Sequence, residues 1–277
     1  MEKNQEEIKQ NLADFYDSTA VEYHDSHYQR KGRYSPLQYR QHYVEKMIEA
    51  QQVPPGAKVL DIGCGPGELS LNLLKKGYDV WAVDISQSMV DEAVAVVNTN
   101  GYPEWKQAHV GDIEGIEFQD ESFDVVVAAG VIEYQKDDEN SLGEMRRVLK
   151  PDGYMILNVT NRYSPIRILS APYTWMTKQS IGRSVLNVLK TRVLGRGQLS
   201  SLPAIRSHSS RAFDKKLSNF GFEKVNYNYF AFSPLPSPLC PLFGRICGPM
   251  GRWMEKLTRS PLGFLGGGYI VIARKLR

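Results

Sequence analysis

Three glycines at alternate positions, Gly63, Gly65 and Gly67, follow directly after an apolar run at residues 59–62. Glycine weakens both helices and strands, so such a cluster is typical of a backbone that bends sharply or passes close to a ligand. A helical pattern begins at once, at residues 68–76. This stretch therefore predicts a strand that enters a helix through a tight turn, the first half of a βαβ unit.

The alternation of strand and helix patterns continues along the chain. Short apolar runs predict strands at residues 58–62, 79–84, 105–110, 123–129, 154–159, 223–232 and 268–274. Amphipathic periodicity predicts helices at residues 68–76, 88–98, 141–149 and 211–220, and a helical, aromatic-rich segment at 7–50. Strands that alternate with helices form right-handed βαβ units and a parallel sheet. The sequence predicts a doubly wound α/β fold with a mostly parallel sheet of seven strands.

Two interruptions of this alternation suggest how the chain is organised. A length of 277 residues allows one domain with a full core and sizeable insertions. We expect residues 1–277 to form a single domain, with an N-terminal helical cap at 1–52 and a cofactor-binding core at 53–160. The alternation of strand and helix patterns stops at 161–208 and again at 233–266, so these segments are interpreted as insertions on either side of the sixth strand.

Cysteine content and hydropathy indicate a compartment. Cys64, Cys240 and Cys247 are too few for a disulfide framework and lack the spacing of a zinc site, so no metal is expected. The first ten residues are too charged for a secretory signal. The longest uncharged stretch, 225–244, carries four prolines, which argue against a membrane-spanning helix. These features predict a cytoplasmic protein.

Charge is divided unevenly between the two halves of the chain. The net charge is only +3, but residues 151–277 hold 19 lysines and arginines against four acidic residues, which leaves −12 on the first 150 residues. A half with a charge of +15 is typical of a protein that meets something anionic: a membrane surface, a nucleic acid or an acidic substrate. A solvated basic face is the simpler alternative.

Further motifs follow the next predicted strands. Asp84 ends the second strand, 23 residues after Asp61, where a carboxylate suits the two hydroxyls of a ribose. Asp112 follows the third strand, and Gly130 lies just after the fourth. In this order and at these spacings the motifs resemble those of the class I S-adenosylmethionine-dependent methyltransferases, in particular the small-molecule and quinone-biosynthesis branch. The resemblance covers residues 57–160 and extends to the final strand.

The resemblance implies S-adenosylmethionine as the cofactor. It implies that Gly63 and Gly65 pass beneath the methionine moiety, while Gly67 is interpreted as a packing glycine. Asp61 would help to place the ammonium group, and Asp84 would hold the ribose hydroxyls. No lysine follows the glycines as it would in a phosphate-binding loop, and nearby acids suit a cationic sulfonium. The full set of implied cofactor-binding residues is Tyr16, Tyr23, Asp61, Gly63, Cys64, Gly65, Asp84, Ile85, Met89, Asp112, Ile113 and Gly130.

The resemblance also implies contacts for the two ends of the cofactor. Ile85 and Met89 would flank the adenine ring. Asp112 and the backbone of Ile113 would read the adenine edge, and Gly130 would contact the methionine end. For a single acidic residue such as Asp112, a role in a turn or helix cap is the alternative.

The residues after the fourth strand should face the methyl acceptor. The similar enzymes commonly carry a Glu-His pair there, whereas this chain has Glu133 and Tyr134. These two residues are the catalytic candidates, as a general base is needed only if the acceptor carries a proton of high pKa. A packing or hydrogen-bonding role fits them equally well.

Aromatic residues near the N-terminus resemble the helix with which such enzymes close over the cofactor. Tyr16 and Tyr23 lie in the stretch F-Y-D-S-T-A-V-E-Y and are expected to contact the cofactor, with packing of the cap as the alternative. Among the histidines, His24 and His208 are the only ones considered for catalysis, and a structural role is favoured for both.

The insertions indicate the class of acceptor. Residues 166–194 and 242–257 interleave apolar and basic side chains at helical spacing, each with a tryptophan, as helices at a membrane surface do. A lid that packs on the sheet is the alternative. We expect a hydrophobic, lipid- or quinone-like small molecule as the acceptor and an anionic membrane surface as a peripheral contact, with Trp253 at the lipid boundary.

Two other functions stay open at this point. An RNA methyltransferase could use the basic half to bind phosphates, but no separate RNA-binding module is visible and the basic segments are rich in apolar residues, so nucleic acid is not the expected partner. A non-catalytic, cofactor-binding regulator is the second alternative, because the general base is not identified. The sequence indicates no oligomeric state.

Overall fold

A seven-stranded sheet forms the centre of the computed structural model, which describes residues 5–25, 28, 35–178, 205–236, 240 and 244–277. The strands are β1 (Lys58–Ile62), β2 (Asp79–Asp84), β3 (Ala108–Val110), β4 (Phe123–Ala128), β5 (Leu149–Thr160), β6 (Phe222–Phe230) and β7 (Gly268–Lys275). Their spatial order is β3-β2-β1-β4-β5-β7-β6. The first five in this order pair in parallel, and β7 is antiparallel to both of its neighbours. The predicted α/β fold with a mostly parallel, seven-stranded sheet is confirmed.

Helices cover both faces of this sheet. Two of the helix starts follow from capping: the Ser86 hydroxyl accepts from the amide of Met89 (3.1 Å), and the Ser209 hydroxyl from that of Ala212 (3.5 Å). The described helices are α1 (Gln5–Asp17), α2 (Ala20–His24), α3 (Pro36–Ala50), α4 (Glu68–Lys75), α5 (Gln87–Thr99), α6 (Glu139–Val148), α7 (Pro165–Lys178), α8 (Ser210–Asn219) and α9 (Gly244–Met254).

Strand β3 is shorter than the sequence predicts. Only residues 108–110 pair with the end of β2, although the apolar pattern begins at Trp105. Trp105 is buried, and its indole N–H donates to the carbonyl of Val80 (3.0 Å). Its side chain therefore contributes packing beside the sheet, while its backbone stays outside the ladder.

The N-terminal helices are fastened to the core at two places. Asp17, at the end of α1, accepts from the Ser86 hydroxyl (2.5 Å) and the Ser88 amide (3.0 Å), which joins α1 to the start of α5. Helix α3 buries Val44, Met47 and Ile48 against the sheet. The segment predicted as helical at 7–50 thus forms α1, α2 and α3, apart from its residues that lie outside the described part.

The order of the strands reverses between β1 and β4. In open α/β sheets, ligands bind in the crevice beyond the carboxyl ends of the strands at such a switch point. The interior of β4 is completely buried from Val125 to Ala128, so the sheet there forms a rigid base. The fold therefore directs the residues that follow β1, β2 and β4 toward one crevice.

Both predicted insertions are described in part. Helix α7 opens the first one, and the part of the predicted amphipathic segment beyond Lys178 falls within residues 179–204, outside the described part. In the second insertion, α9 leads into two 3₁₀ turns, Glu255–Leu257 and Pro261–Leu265. Within the described part of the chain, no helix combines the length and apolar character that crossing a membrane requires.

Candidate functional site

A cavity of about 280 Å³ lies at the switch point, beyond the carboxyl ends of β1, β2 and β4. The glycine loop, the end of β2, the turn after β3 and the loop after β4 form its floor, and the N-terminal helices form its other wall. The twelve residues implied for cofactor binding and the two catalytic candidates after β4 all line this cavity. They are Tyr16, Tyr23, Asp61, Gly63, Cys64, Gly65, Asp84, Ile85, Met89, Asp112, Ile113, Gly130, Glu133 and Tyr134.

The glycine loop turns sharply over the end of β2. The amides of Gly63 and Cys64 both donate to the carbonyl of Val83 (2.7 and 3.1 Å). Gly63 and Gly65 have φ angles of +66° and +53°, a region that side chains disfavour. A Cβ atom on Gly65 would meet nothing within 4 Å, so this glycine faces open space in the cavity. Close approach of a ligand to the backbone is therefore possible here.

Asp84 is held at the end of β2 by backbone amides. Its carboxylate accepts from the amides of Gly65 (2.9 Å) and Ser86 (3.0 Å), and it is only 8% exposed. Burial raises the pKa of this carboxyl above its usual range, against the effect of these hydrogen bonds. A carboxylate offers about four lone-pair sites, so Asp84 can still accept from two hydroxyls of a ligand.

Asp61 is the most deeply buried carboxyl group of the site. It is 1% exposed and accepts a hydrogen bond from the Ser70 hydroxyl (2.7 Å). Burial raises the pKa of Asp61 to about 7, although this hydrogen bond and the charge of Arg40 act in the opposite direction. A cationic ligand group beside Asp61 would favour its ionised form.

Arg40, on α3, is a site residue that the sequence did not single out. Among the described residues that line the cavity, it is the single lysine or arginine. Its Nε atom is buried without a hydrogen-bond partner. Gly130 (φ +87°) makes room for it, because a Cβ atom there would lie 2.2 Å from Nη1 of Arg40. The guanidinium is thus available to an anionic group of a ligand, such as a carboxylate.

Asp112 has a protein partner that the sequence did not indicate. Lys9 of α1 forms ion pairs with Asp112 and with Glu114, the latter at 2.7 Å. Asp112 also accepts from the amide of Glu114 (3.0 Å). The carboxylate is therefore fixed at the rim of the cavity, and a ligand amine would share it with Lys9.

Four tyrosines close the side of the cavity opposite the sheet. The hydroxyls of Tyr16 and Tyr134 lie 3.1 Å apart, and the ring of Tyr16 meets that of Tyr23 edge to face at 5.9 Å. Tyr28 packs next to Tyr23, and the amide of Gln41 donates to its hydroxyl (3.2 Å). Burial raises the pKa of Tyr134 to about 12, so its phenol stays protonated at neutral pH. These rings can exclude water from a bound ligand.

Glu133 lies in the 3₁₀ turn Ile132–Tyr134 that follows β4. Its carboxyl group is 8% exposed, and the Asn158 amide donates to it at 3.4 Å. Burial raises the pKa of Glu133, while the positive charge of Arg40 opposes this shift. A buried carboxylate of raised pKa is a stronger base than an exposed one, so Glu133 can accept a proton inside the cavity.

The loop that carries Glu133 is anchored by a buried ion cluster. Asp138, 1% exposed, pairs with Arg206 (2.8 Å), Lys216 (3.1 Å) and His208 (3.3 Å). Burial alone would raise the pKa of Asp138, but these partners hold it well below its usual range. The amide of Arg206 also donates to the carbonyl of Glu133 (2.8 Å). The end of the first insertion, at Arg206, is thereby attached directly to Glu133.

The two histidines considered for catalysis lie elsewhere. His208 belongs to the Asp138 cluster, and neither it nor His24 lines the cavity. The ring of His24 bridges two helices, with Nε2 at 2.9 Å from Glu68 of α4 and Nδ1 at 2.8 Å from Glu92 of α5. Both residues therefore have structural surroundings, as favoured from the sequence. Among the described residues, no group of histidines, cysteines and acids is arranged to hold a metal ion.

We expect the His24 bridge to stabilise the protein most at acid pH. Burial lowers the pKa of His24, but the two carboxylates raise it by more. Only the protonated ring donates from both nitrogens, so the contribution is complete below the unfolded pKa and disappears as pH rises through the raised folded value. While charged, the bridge should contribute about 1.5–3 kcal/mol.

Urea unfolding of wild type and of His24→Gln at pH 6 and pH 9 measures this effect. The stability difference between the two proteins should be large at pH 6 and small at pH 9. His42→Gln, at an exposed position of α3, is the matched control and should change the stability little. An equal difference at both pH values would contradict the assignment of a charged bridge.

Comparisons with known proteins match the core of the chain to one family. Residues 60–157 match the family described as a methyltransferase domain. The ubiquinone biosynthesis O-methyltransferase of Rickettsia bellii is 27% identical over 143 residues, which cover 50% of this chain and 58% of that protein. The enzyme of the same name from Coxiella burnetii is 30% identical over 135 residues, or 47% of this chain and 55% of that protein. This chain thus spans a little more than half the length of these relatives.

A solved structure shows the same fold over nearly the whole chain. The magnesium protoporphyrin IX methyltransferase of Synechocystis, crystallised with bound SAH, superimposes with a TM-score of 0.60 at 18% identity. The match covers 97% of this chain and 99% of that one. At this level of identity the likeness establishes the fold alone.

Proposed function

We propose that this chain, which carries a class I S-adenosylmethionine-dependent methyltransferase domain, transfers a methyl group from S-adenosylmethionine to a hydrophobic small molecule. The observation that carries the proposal is the set of groups around one cavity: two buried carboxylates, a glycine loop, and an arginine whose Nε lacks a partner. The carboxylates and the guanidinium group are costly to bury without partners of opposite charge. A ligand with complementary charges would offset that cost.

The residues present fit the polar groups of S-adenosylmethionine. Asp61 suits the ammonium group, and Arg40 suits the carboxylate. The negative charge of that carboxylate would also lie close to the buried Nε atom of Arg40. Asp84 has free acceptor capacity for the two ribose hydroxyls. The open space above Gly65 lets the backbone approach the methionine chain.

Fewer polar groups line the part of the cavity that we propose for the adenine ring. Ile85 and Met89 offer apolar contact, and Met89 is buried at the start of α5. Asp112 can accept from the exocyclic amine while it keeps its ion pair with Lys9. This arrangement supports the proposal that the adenine lies between β2 and the turn after β3.

The chemistry requires alignment and a dry site more than acid–base catalysis. When bound, the cofactor supplies a methyl group activated by a positively charged sulfur. The tyrosine rings Tyr16, Tyr23 and Tyr28 would exclude water, and Glu133 would accept the proton if the acceptor is a hydroxyl group. Tyr134 would donate a hydrogen bond to the acceptor, because its phenol remains protonated.

We place the acceptor in the lipid- or quinone-like class. Apolar side chains of Leu12, Leu37, Val131 and Ile205 occupy the remaining wall of the cavity. The curated relatives named above act, by their names, in ubiquinone biosynthesis, and this supports an aromatic or isoprenoid-like acceptor. We further propose that the acceptor reaches the cavity from a membrane surface.

Two measurements test this function. Calorimetry should show binding of S-adenosylhomocysteine, and NAD should not bind. Mass spectrometry of lipid extracts from cells with and without the protein should then reveal a compound that gains one CH₂ unit when the protein is present. Cofactor binding without any methylated product would favour the non-catalytic regulator. Absence of cofactor binding would contradict the proposal itself.

The basic half of the chain makes RNA the rival acceptor. Phosphate binding by such a surface weakens steeply as salt increases, because counterions are released. We expect weak binding to mixed RNA that disappears at moderate salt, and no methyl incorporation into bulk tRNA or rRNA. A filter-binding assay with labelled RNA measures the first, and a filter assay with labelled S-adenosylmethionine measures the second. Methylated RNA would replace the small-molecule acceptor in the proposal.

A further inference from the structure

Large apolar side chains are exposed on α7, on α9 and on the 3₁₀ turn Pro261–Leu265. Trp175 and Trp253, for example, are 64% and 60% exposed. We call these side chains, together with Tyr163, the apolar face. Its members are Tyr163, Ile168, Leu169, Trp175, Ile246, Met250, Trp253, Leu262 and Phe264. A group of large apolar side chains that are exposed on neighbouring elements marks a place of contact with a partner or a membrane.

Hydrogen bonds join the two insertions at the base of this face. The Ser164 hydroxyl, just before α7, donates to the carbonyl of Leu265 (3.0 Å). The Asn161 amide donates to the carbonyls of Phe264 (2.9 Å) and Gly266 (2.8 Å). The start of α7 and the turn Pro261–Leu265 are thus held together as one unit.

This unit lies beside the cavity. Residues 161–164 follow directly after Thr160, the last residue of β5, and β5 pairs with β4, whose end carries Gly130 and Glu133. The amide of Arg162 donates to the carbonyl of His208 (2.9 Å), and that of His208 donates to Thr160 (2.8 Å). The base of the apolar face is therefore at the same end of the sheet as the cavity.

The charges on this surface all have one sign. Residues 161–178 contain no acid, and residues 244–265 contain only Glu255, which is 4% exposed. Exposed basic residues, in contrast, lie between the apolar ones; they are Arg162, Arg167, Arg245, Arg252, Lys256 and Arg259. A surface that pairs exposed tryptophan with arginine and lysine complements an anionic lipid interface.

We propose that the apolar face docks on an anionic lipid bilayer, with Trp175 and Trp253 at the headgroup boundary and the basic residues on lipid phosphates. A bilayer suits this surface better than a protein, because exposed arginines and lysines lie among the apolar side chains and Glu255, the one acid of residues 161–178 and 244–265, is buried. The docking stands on the surface alone; only the delivery of acceptor from the bilayer rests on the proposed function. In the second insertion, Leu242 and Phe243 lie outside the described residues, so Ile246 and Trp253 serve as the test positions.

Vesicle co-sedimentation of the full chain tests the docking. We expect binding to vesicles of phosphatidylcholine mixed with phosphatidylglycerol, weaker binding at moderate salt, and little binding to phosphatidylcholine alone. The double variants Ile246→Ser/Trp253→Ser and Arg245→Glu/Lys256→Glu should each reduce the binding constant by about tenfold or more. Failure of the wild type to distinguish anionic from neutral vesicles would overturn the proposal.

Matched controls separate docking from general effects of exposed residues. Val110, on β3 at the opposite edge of the sheet from β6, is 50% exposed, and Val110→Ser should leave vesicle binding unchanged. Lys106→Glu serves the same purpose for charge, at an exposed position on the opposite part of the sheet. If the controls lose as much binding as the face variants, the specific face is wrong.

Two further readouts distinguish the possible failures. Affinity for S-adenosylhomocysteine should be the same in the face variants as in the wild type, since the cofactor groups are remote from the substitutions. If the wild type did not bind S-adenosylhomocysteine, the proposed function would be contradicted, and the result on docking would still stand. Analytical ultracentrifugation without vesicles should show no self-association through the face; a dimer abolished by Ile246→Ser/Trp253→Ser would overturn the bilayer as its occupant.

Discussion

Replacing Gly67 with alanine should lower the free energy of unfolding by about 2–5 kcal/mol. Gly67 has a φ angle of +80°, and an alanine in the left-handed region costs about 1–2 kcal/mol. The new Cβ atom would lie 2.8 Å from both Cα and Cβ of Ala93. Ala93 is completely buried in α5 and can move only with its helix, so overpacking adds about 1–3 kcal/mol. Urea unfolding of the two proteins measures the difference.

Gly65→Ala is the matched control for this experiment. Its φ angle of +53° carries the same backbone cost of about 1–2 kcal/mol, but nothing lies within 4 Å of the added Cβ atom. This variant should therefore unfold more like the wild type, while its methyl group projects into the cavity and lowers the affinity for S-adenosylhomocysteine. If both variants lost the same stability, the packing of α4 on α5 would not be the reason for Gly67.

The contrast between these glycines shows what the sequence could predict. A strand, three glycines and a helix are local features, so the fold class, the strand positions and the floor of the cavity followed from residue patterns. Gly67 was interpreted as a packing glycine, and its contact with Ala93 agrees. The start of β3 could not be predicted from the sequence. Trp105 fits the apolar pattern of a strand, but only its side chain packs beside the sheet, and its backbone does not join the ladder.

The other wall of the cavity could not be predicted in the same way. Arg40 lies on α3, remote in sequence from Gly130, and only the folded chain brings its guanidinium to the space that this glycine leaves. Lys9 likewise meets Asp112 through the docking of α1. Such contacts depend on how helices pack, and single-sequence patterns carry no signal for them beyond the absence of a side chain at Gly130.

Asp84→Ala should weaken the binding of S-adenosylhomocysteine by about 1.5–3 kcal/mol, which is tenfold or more in the dissociation constant. The proposed role of the carboxylate is to accept from two ribose hydroxyls, and alanine removes both interactions. It also frees the amides of Gly65 and Ser86, which now donate to Asp84 at 2.9 and 3.0 Å, so part of the loss would come from a looser glycine loop. Isothermal titration calorimetry measures the affinity.

Two companion variants identify the cause of that loss. Asp79→Ala removes a carboxylate from the opposite end of the same strand and should leave the affinity unchanged. Asp84→Asn retains the size of the side chain and one oxygen acceptor, so it keeps one of the hydrogen bonds from the Gly65 and Ser86 amides. The other amide would face the NH2 group, which cannot accept from it, and the charge is lost. An affinity between those of wild type and Asp84→Ala is expected. Wild-type affinity in both Asp84 variants would show that the cofactor does not use this carboxylate, and the orientation of the ligand in the cavity would have to be reversed.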